Sequence, residues 1–360
     1  MTGIQARFHL EWPGFALNVD LKLPARGVTA LFGHSGSGKT TLLRCMAGLE
    51  RAPRGRLVVN GDVWQDDGAN AGHWLSTHQR ALGYVFQEAS LFPHLTVLGN
   101  LRYGMRRTAH AHQQGLDQAI GLLGIAHLLE RKPDGLSGGE RSRIGIARAL
   151  AVRPRLLLMD EPLAALDFKR KQEILPYLER LHRELEIPVI YVSHAADEVA
   201  RLADHIVVME AGRVNAVGAL TETLARLDLP IQMGEDAGVV LDAVVAERDV
   251  SWHLARVEFD GGSLWVRDGG QSIGQAVRVR ILARDVSIAL QQVTGTSIQN
   301  CLPATVVQLA DEHHPASSLV RLQVGVSPML ARLTRRSVAG LSLVPGMAVW
   351  VQIKAVALIG

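Results

Sequence analysis

Cysteine is scarce: Cys45 and Cys301 are the only two in 360 residues. They stand too far apart for a disulfide framework or a cysteine-based metal site, and both read as small apolar side chains. Long apolar runs are missing too. No stretch reaches the roughly 18 residues that a membrane span needs, and Met1–Arg7 lacks the apolar piece of a secretory signal. The expectation is a protein on the cytosolic side that meets a membrane only through partners. Charge of one sign is also lacking, with 38 basic against 35 acidic residues and no basic run with interleaved aromatics, which argues against a nucleic-acid binder. His110-Ala111-His112 and Asp311-Glu312-His313-His314 have no second ligand pair at metal spacing and read as solvated loops. What is present, 48% apolar and 20% charged residues, suits two or three domains with a large core.

The chain is organised around Gly33-His34-Ser35-Gly36-Ser37-Gly38-Lys39-Thr40-Thr41. Val28–Phe32 before it is a β-branched, apolar run suited to a buried strand, and Thr41–Ala47 after it has helical spacing. Strand, glycine loop and helix are the context of a P-loop. The glycines let consecutive N–H groups converge on a phosphate, Lys39 brings a point charge to the β- and γ-phosphates, and the Thr40 hydroxyl can ligate Mg²⁺. A nucleoside triphosphate is the expected ligand.

Around this loop, residues 4 to 32 alternate in short apolar pieces that predict an antiparallel β layer, with Trp12 or Phe15 available to stack on an adenine. Gly55–Val63 predicts a hairpin turning at Asn60-Gly61. Gly83–Phe86 is a short buried strand closed by Gln87, a polar group that can reach a metal or an attacking water, and the region from there to Leu150 is mainly helical. In it, Ser137 with Gly138, Gly139 and Glu140 opens a helix whose free backbone donors make a second anion site. Arg155–Met159 is an apolar strand ending in Asp160 and Glu161. The first is suited to gripping Mg²⁺, the second to polarising a water, with Pro162 expected to keep Glu161 extended. Ile187–Ser193 is a further strand, delivering His194, and Ile206–Met209 runs into a turn at Ala211-Gly212.

After about residue 235 helical patterns give way to β patterns. Gly274, Ala276, Val277, Val279, Ile281 and Ala283 match Gly346, Ala348, Val349, Val351, Ile353 and Ala355 at identical spacing, which implies two small β units produced by duplication.

The P-loop, Gln87, Leu136-Ser137-Gly138-Gly139-Glu140, Asp160-Glu161, Ala165-Leu166-Asp167 and His194 follow one another in an order that resembles the nucleotide-binding subunit of ABC transporters of the importer type. The resemblance implies an α/β P-loop ATPase domain over residues 1–235, with an antiparallel β layer and a helical subdomain at about 88–153, followed by an all-β, small-barrel domain over 236–360. It implies a homodimer arranged head to tail, each ATP lying between one subunit's P-loop and the other's Ser-Gly-Gly motif. Lys39 and the loop amides then hold phosphate, and Thr40, Gln87 and Asp160 organise Mg²⁺. Glu161 positions or deprotonates the water, His194 contacts the γ-phosphate and Asp167 joins the subunits. Ser137, Gly138, Gly139 and Glu140 serve the partner's ATP.

Thr296–Ala304, Leu333–Val338 and Leu343–Ala355 are similar to the small molybdate-binding β-barrel module, here at about 291–356. Ser297, Asn300 and Lys354 are its candidate oxyanion ligands, while Gln299 stands where such modules often carry arginine. A dimerising barrel is the alternative use of this domain. The resemblance implies the ATPase subunit of a molybdate importer, on the cytoplasmic face of the inner membrane against two permease subunits and, through them, an external binding protein. The rival readings are an importer subunit for sulfate, sugar, polyamine or iron, and an oxyanion sensing or storage protein with an idle ATPase.

Overall fold

The computed structural model describes residues 3–68, 72–106, 113–228, 237–312, 314–354 and 356–359. His110-Ala111-His112, His313, Ala355 and the expected domain boundary at 235/236 lie outside the described residues. The chain divides into two compact units, residues 1–217 and 218–360.

In the first unit, β1 (Ile4–Trp12) and β2 (Phe15–Leu23) form the expected antiparallel pair, in register from Ile4 opposite Leu23 to Trp12 opposite Phe15. Strict alternation puts Ile4, Ala6, Phe8, Leu17, Val19 and Leu21 on the buried face. β3 (Gly27–Phe32) leads into α1 (Lys39–Ala47). β4 (Arg54–Val59) and β5 (Asp62–Asp66) turn at Asn60-Gly61, where both residues have positive φ, 47° and 92°, the geometry that tightens a two-residue hairpin. After β6 (His73–Trp74) and β7 (Leu82–Val85) come α2 (Val97–Met105), α3 (Gln113–Leu123) and α4 (Gly138–Leu150), the helical stretch expected from the sequence. β8 (Leu156–Asp160), α5 (Phe168–Glu184), β9 (Pro188–Val192), α6 (Ala196–Leu202), β10 (His205–Glu210) and β11 (Arg213–Ala219) follow in turn.

One 11-stranded sheet runs β6-β5-β4-β1-β2-β11-β10-β3-β9-β8-β7, and its half from β10 to β7 is parallel. The parallel strands are buried on both faces and are therefore nearly continuous in Val, Ile and Leu. Their carboxyl ends deliver Gly33, Gln87, Asp160 and His194 to one edge of the sheet, where a doubly wound sheet binds its ligand.

The second unit opens with a short helix, α7 (Leu220–Leu224), followed by β12 (Gly238–Asp249), β13 (Leu254–Phe259), β14 (Gly262–Arg267), β15 (Ala276–Leu282) and β16 (Val286–Ala289). Next are β17 (Asn300–Asp311), β18 (Ser317–Val324), β19 (Ser327–Thr334), α8 (Arg335–Gly340), β20 (Ala348–Ile353) and β21 (Ala357–Ile359). Helix α8 departs from the expectation that helices vanish after residue 235. It forms because Thr334 caps it, its hydroxyl accepting the Ser337 N–H at 3.0 Å.

The duplication is visible in backbone geometry. Gly274 and Gly346 have φ of 83° and 87°, and their N–H groups donate to Val245 O at 2.7 Å and Val306 O at 2.8 Å. A bulge follows each acceptor, between Val245 and Glu247 and between Val306 and Gln308. Each repeat also gives its last strand to the other. β16 follows β15 but pairs with β20, whereas β21 follows β20 but pairs with β15, so the sheets run β14-β13-β12-β15-β21 and β16-β20-β17-β18-β19. The exchange makes the two halves one folding unit with a continuous apolar core.

Candidate nucleotide site

The loop after β3 is built by close approach. A Cβ on Gly33 would collide with the Met209 carbonyl, and one on Gly38 would press on the Phe15 ring at 3.0 Å and Gly212 Cα at 3.3 Å. Gly38, at φ 100°, is the N-cap of α1, and Gly212 N–H donates to Ser37 O at 3.0 Å, bracing the loop from the β10–β11 turn. Lys39 is buried and curls back through the loop, its Nζ donating to Gly33 O and His34 O at 2.8 Å each and to Ser37 Oγ at 3.3 Å. The ammonium is thereby fixed at the mouth of the helix. Burial pulls its pKa down, and the nearby carboxylates of Glu161 and Asp160 oppose that shift. His34, Ser35, Gly36 and Thr40 stay exposed and Thr41 half-buried.

Asp160 closes β8 and meets Thr40 across the sheet edge, the Thr40 hydroxyl donating to Oδ1 at 3.0 Å. The Tyr84 hydroxyl donates to Oδ2 at 3.2 Å. Burial raises the Asp160 pKa, and these two hydrogen bonds partly offset the shift. A hydroxyl and a carboxylate oxygen side by side form a hard, oxygen-only donor set that suits Mg²⁺.

Glu161 does not stay extended. Its φ is +46°, because its N–H donates to Val192 O at 3.1 Å while its carbonyl accepts Ala164 N–H at 3.1 Å, which turns the chain immediately after the strand. This left-handed conformation at a non-glycine residue falls at one of the two carboxylates that end β8. The His194 ring lies beside it, Nδ1 3.3 Å from Glu161 Oε1. Trp12 and Phe15 are stacked with centroids 6.0 Å apart, Trp12 41% exposed and Phe15 behind it against Gly38.

The second helix end expected to face phosphate is the N-terminus of α4. Ser137 caps it by accepting Glu140 N–H at 3.3 Å, and the Glu140 carboxylate accepts Ser137 N–H at 2.7 Å. This capping box uses Glu140 within its own chain, and the backbone hydrogen bond holds its pKa below the usual range. Gly138 and Gly139 stay close against Leu166 and Ile174. Asp167 caps α5 in the same way, accepting Arg170 N–H at 2.9 Å. Gln87 is exposed on the wall of a cleft of about 360 Å³ whose far side includes Gly138, Arg141 and Ala165.

The ABC transporter family pattern matches residues 16–164, and a TOBE domain matches 296–360. The molybdenum import ATP-binding protein ModC of Methylococcus capsulatus is 68% identical over 99% of both chains. The chain belongs to the ModC family. The ModC of Pseudomonas aeruginosa is 54% identical over the full length of both. Among solved structures, cbiO1 from Clostridium perfringens, part of the cbiONQ ABC transporter complex, has a TM-score of 0.54 at 28% identity, covering 62% of this chain and 90% of that one. A dimeric ATP-binding cassette in a post-hydrolysis state, bound to ADP and Pi, has a TM-score of 0.50 at 25% identity over 60% of this chain and 98% of that one.

Several residues that support the site were not singled out in the sequence. Arg148 donates to Ala89 O and Ser90 O at 2.9 Å each, tying the segment after Gln87 to α4. Ser142 Oγ donates to Pro162 O at 3.0 Å, joining α4 to the turn that carries Glu161. Arg80 is buried under Trp74 and donates to Cys45 O at 3.1 Å and Met46 O at 2.7 Å, capping α1 at its carboxyl end. Burial lowers its pKa to about 10 and raises that of the Cys45 thiol to about 12. Cys301, by contrast, is half-buried.

In the TOBE region of this ModC chain, Ser297 and Lys354 are exposed. Asn300 is buried, its Oδ1 accepting Trp265 N–H at 2.7 Å and its Nδ2 donating to Trp265 O at 2.9 Å. The side chain thus stands in for a neighbouring strand on the edge strand β14. Asn300→Ala leaves both Trp265 groups without this partner and is expected to cost about 2 kcal/mol, read as a lower denaturation midpoint with or without oxyanion.

Proposed function

We propose that this chain is the ATP-hydrolysing subunit of a molybdate importer. It works as a homodimer held peripherally at the cytoplasmic face of the inner membrane by two permease subunits, which receive substrate from an external binding protein. The observation that carries the hydrolytic reading is the convergence of Lys39, Thr40, Asp160, Glu161 and His194 at one sheet edge, with Thr40 on Asp160 and His194 beside Glu161. Full-length similarity to ModC proteins supports molybdate as the cargo.

The loop amides and Lys39 bind the β- and γ-phosphates. Thr40 and Asp160, together with Gln87, would hold Mg²⁺, which would supply charge neutralisation at the phosphoryl oxygens. Glu161 orients the attacking water and accepts its proton, and His194 faces the γ-phosphate from the next strand. Ser137 and the N–H groups of Gly138 and Gly139 face the partner's nucleotide, as Asp167 faces the partner chain, so closure of the dimer completes both sites. No helix among the described residues is long and apolar enough to cross a membrane. ATP-driven closure acts on transport through the permease.

Trp12 offers its exposed face to the adenine. Trp12→Ala is expected to weaken ATP binding about tenfold with little change in kcat, measured by equilibrium titration beside turnover. The cargo is tested in vesicles reconstituted with the permease and binding protein. ATP-dependent accumulation of molybdate, with sulfate excluded, is expected; uptake of sulfate, sugar, polyamine or iron in its place would reassign the importer.

A further inference from the structure

His194 is exposed on a loop between β9 and α6, and an exposed ring on a loop needs something to fix it. The residues on either side of it lead to one buried carboxylate. Glu198, on the first turn of α6, is 4% exposed. Its Oε2 accepts both the Ser193 hydroxyl and the Tyr191 hydroxyl at 2.8 Å, and its Oε1 accepts Lys171 Nζ at 2.8 Å. Ser193 Oγ in turn accepts Ala195 N–H at 3.0 Å. The backbone immediately before and after His194 is therefore clamped through Ser193 onto Glu198. Three donors satisfy this carboxylate, and the Lys171 charge balances it in a dry setting, where a fully satisfied network is rigid.

Lys171 adds a second connection. It lies in the first turn of α5, where its N–H donates to Asp167 O at 3.0 Å. The group that caps α5 toward the expected subunit interface and the loop that presents His194 are thus joined through one buried ion pair.

We propose that Glu198 is a positioning residue for ATP hydrolysis, holding His194 against Glu161 and the γ-phosphate through Ser193; this rests on the ATPase reading above. It touches no reacting atom. Its contribution is geometric, because an angstrom-scale displacement of a catalytic group lowers turnover without removing phosphate contacts made by Lys39 and the loop.

The structure supplies an internal control. A second ion pair, Arg201 Nε to Glu179 Oε1 at 2.8 Å, joins the same two helices at similar burial, and the other Arg201 hydrogen bond, to Gln172 Oε1 at 3.0 Å, also runs to α5 and away from the His194 loop. If helix packing alone mattered, the two pairs would be equivalent. The experiment uses the full chain and measures equilibrium ATP affinity, turnover per ATP-binding site and melting temperature for Glu198→Gln, Ser193→Ala and Arg201→Gln. Glu198→Gln and Ser193→Ala are expected to lower kcat about tenfold or more while ATP affinity stays within about twofold, and Arg201→Gln to keep kcat within about twofold even where it lowers the melting temperature. Ser193→Ala removes a single oxygen, so it remains readable if Glu198→Gln does not fold. Wild-type kcat in Ser193→Ala, or an equal loss of kcat in Arg201→Gln, overturns the proposal. Absence of ATP hydrolysis by the wild-type chain, alone and with its permease, instead overturns the ATPase reading.

Discussion

Glu161→Gln is expected to bind ATP as the wild type does and then to stop. The amide keeps the volume of the side chain and an oxygen for the His194 contact, which measures 3.3 Å with Glu161 in place. It removes the negative charge that, in the proposed mechanism, orients a water and the basicity that takes its proton. Loss of a positioned general base costs about 10²- to 10⁴-fold in rate. ATP affinity is expected to remain within about twofold, because phosphate binding rests on Lys39 and on backbone N–H groups. With binding intact and hydrolysis blocked, the closed dimer accumulates, which size-exclusion chromatography with ATP and Mg²⁺ detects. Wild-type turnover in this variant removes Glu161 from the mechanism.

Lys39→Ala fails one step earlier. The ammonium is held by Gly33 O, His34 O and Ser37 Oγ before any nucleotide arrives, so its desolvation and its conformational ordering occur during folding. Its removal deletes the charge at the phosphates and leaves Asp160 and Glu161 without the cation that offsets them. A charge-assisted contact of this kind is worth about 1.5–3 kcal/mol, so ATP affinity is expected to fall about 10- to 100-fold and hydrolysis with it. Unchanged affinity would show that the backbone loop alone binds the phosphates.

The two variants separate binding from chemistry because of how the sheet is wired. β3 supplies the binding loop and β8, two strands away, supplies the carboxylates, with β9 and its histidine between them.

What could be read from the sequence was what lies contiguous in it. The glycine spacing around Lys39, the apolar run into Asp160 and Glu161, the Asn60-Gly61 turn and the period-two strands all carry their physical cause within a few residues. The departures have local causes that the sequence did not display. Glu161 before Pro162 reads as extended, yet a hydrogen bond to Val192 on the neighbouring strand turns it to positive φ. Asn300 reads, by resemblance, as a candidate oxyanion ligand, yet its amide is used by Trp265 on another strand, 35 residues away. The supporting residues stayed hidden for the same reason. Tyr84 meets Asp160 across 76 residues, Arg148 meets Ser90 across 58, and Lys171 meets Glu198 across 27. Strand exchange in the second unit was equally invisible, since β15 and β20 share the same alternation of Ala, Val, Val and Ile and nothing within either strand marks which terminal strand it takes.

The central claim is that the P-loop of one subunit and the Ser137 helix end of its partner face the same γ-phosphate. Vanadate trapped with ADP and Mg²⁺ occupies that phosphate position, and ultraviolet light then cleaves the backbone next to it. Irradiation of the trapped full-length transporter, followed by mass spectrometry of the fragments, is expected to show cuts both within residues 33–40 and beside Ser137. Cleavage confined to residues 33–40 in a fully trapped sample would contradict the shared site.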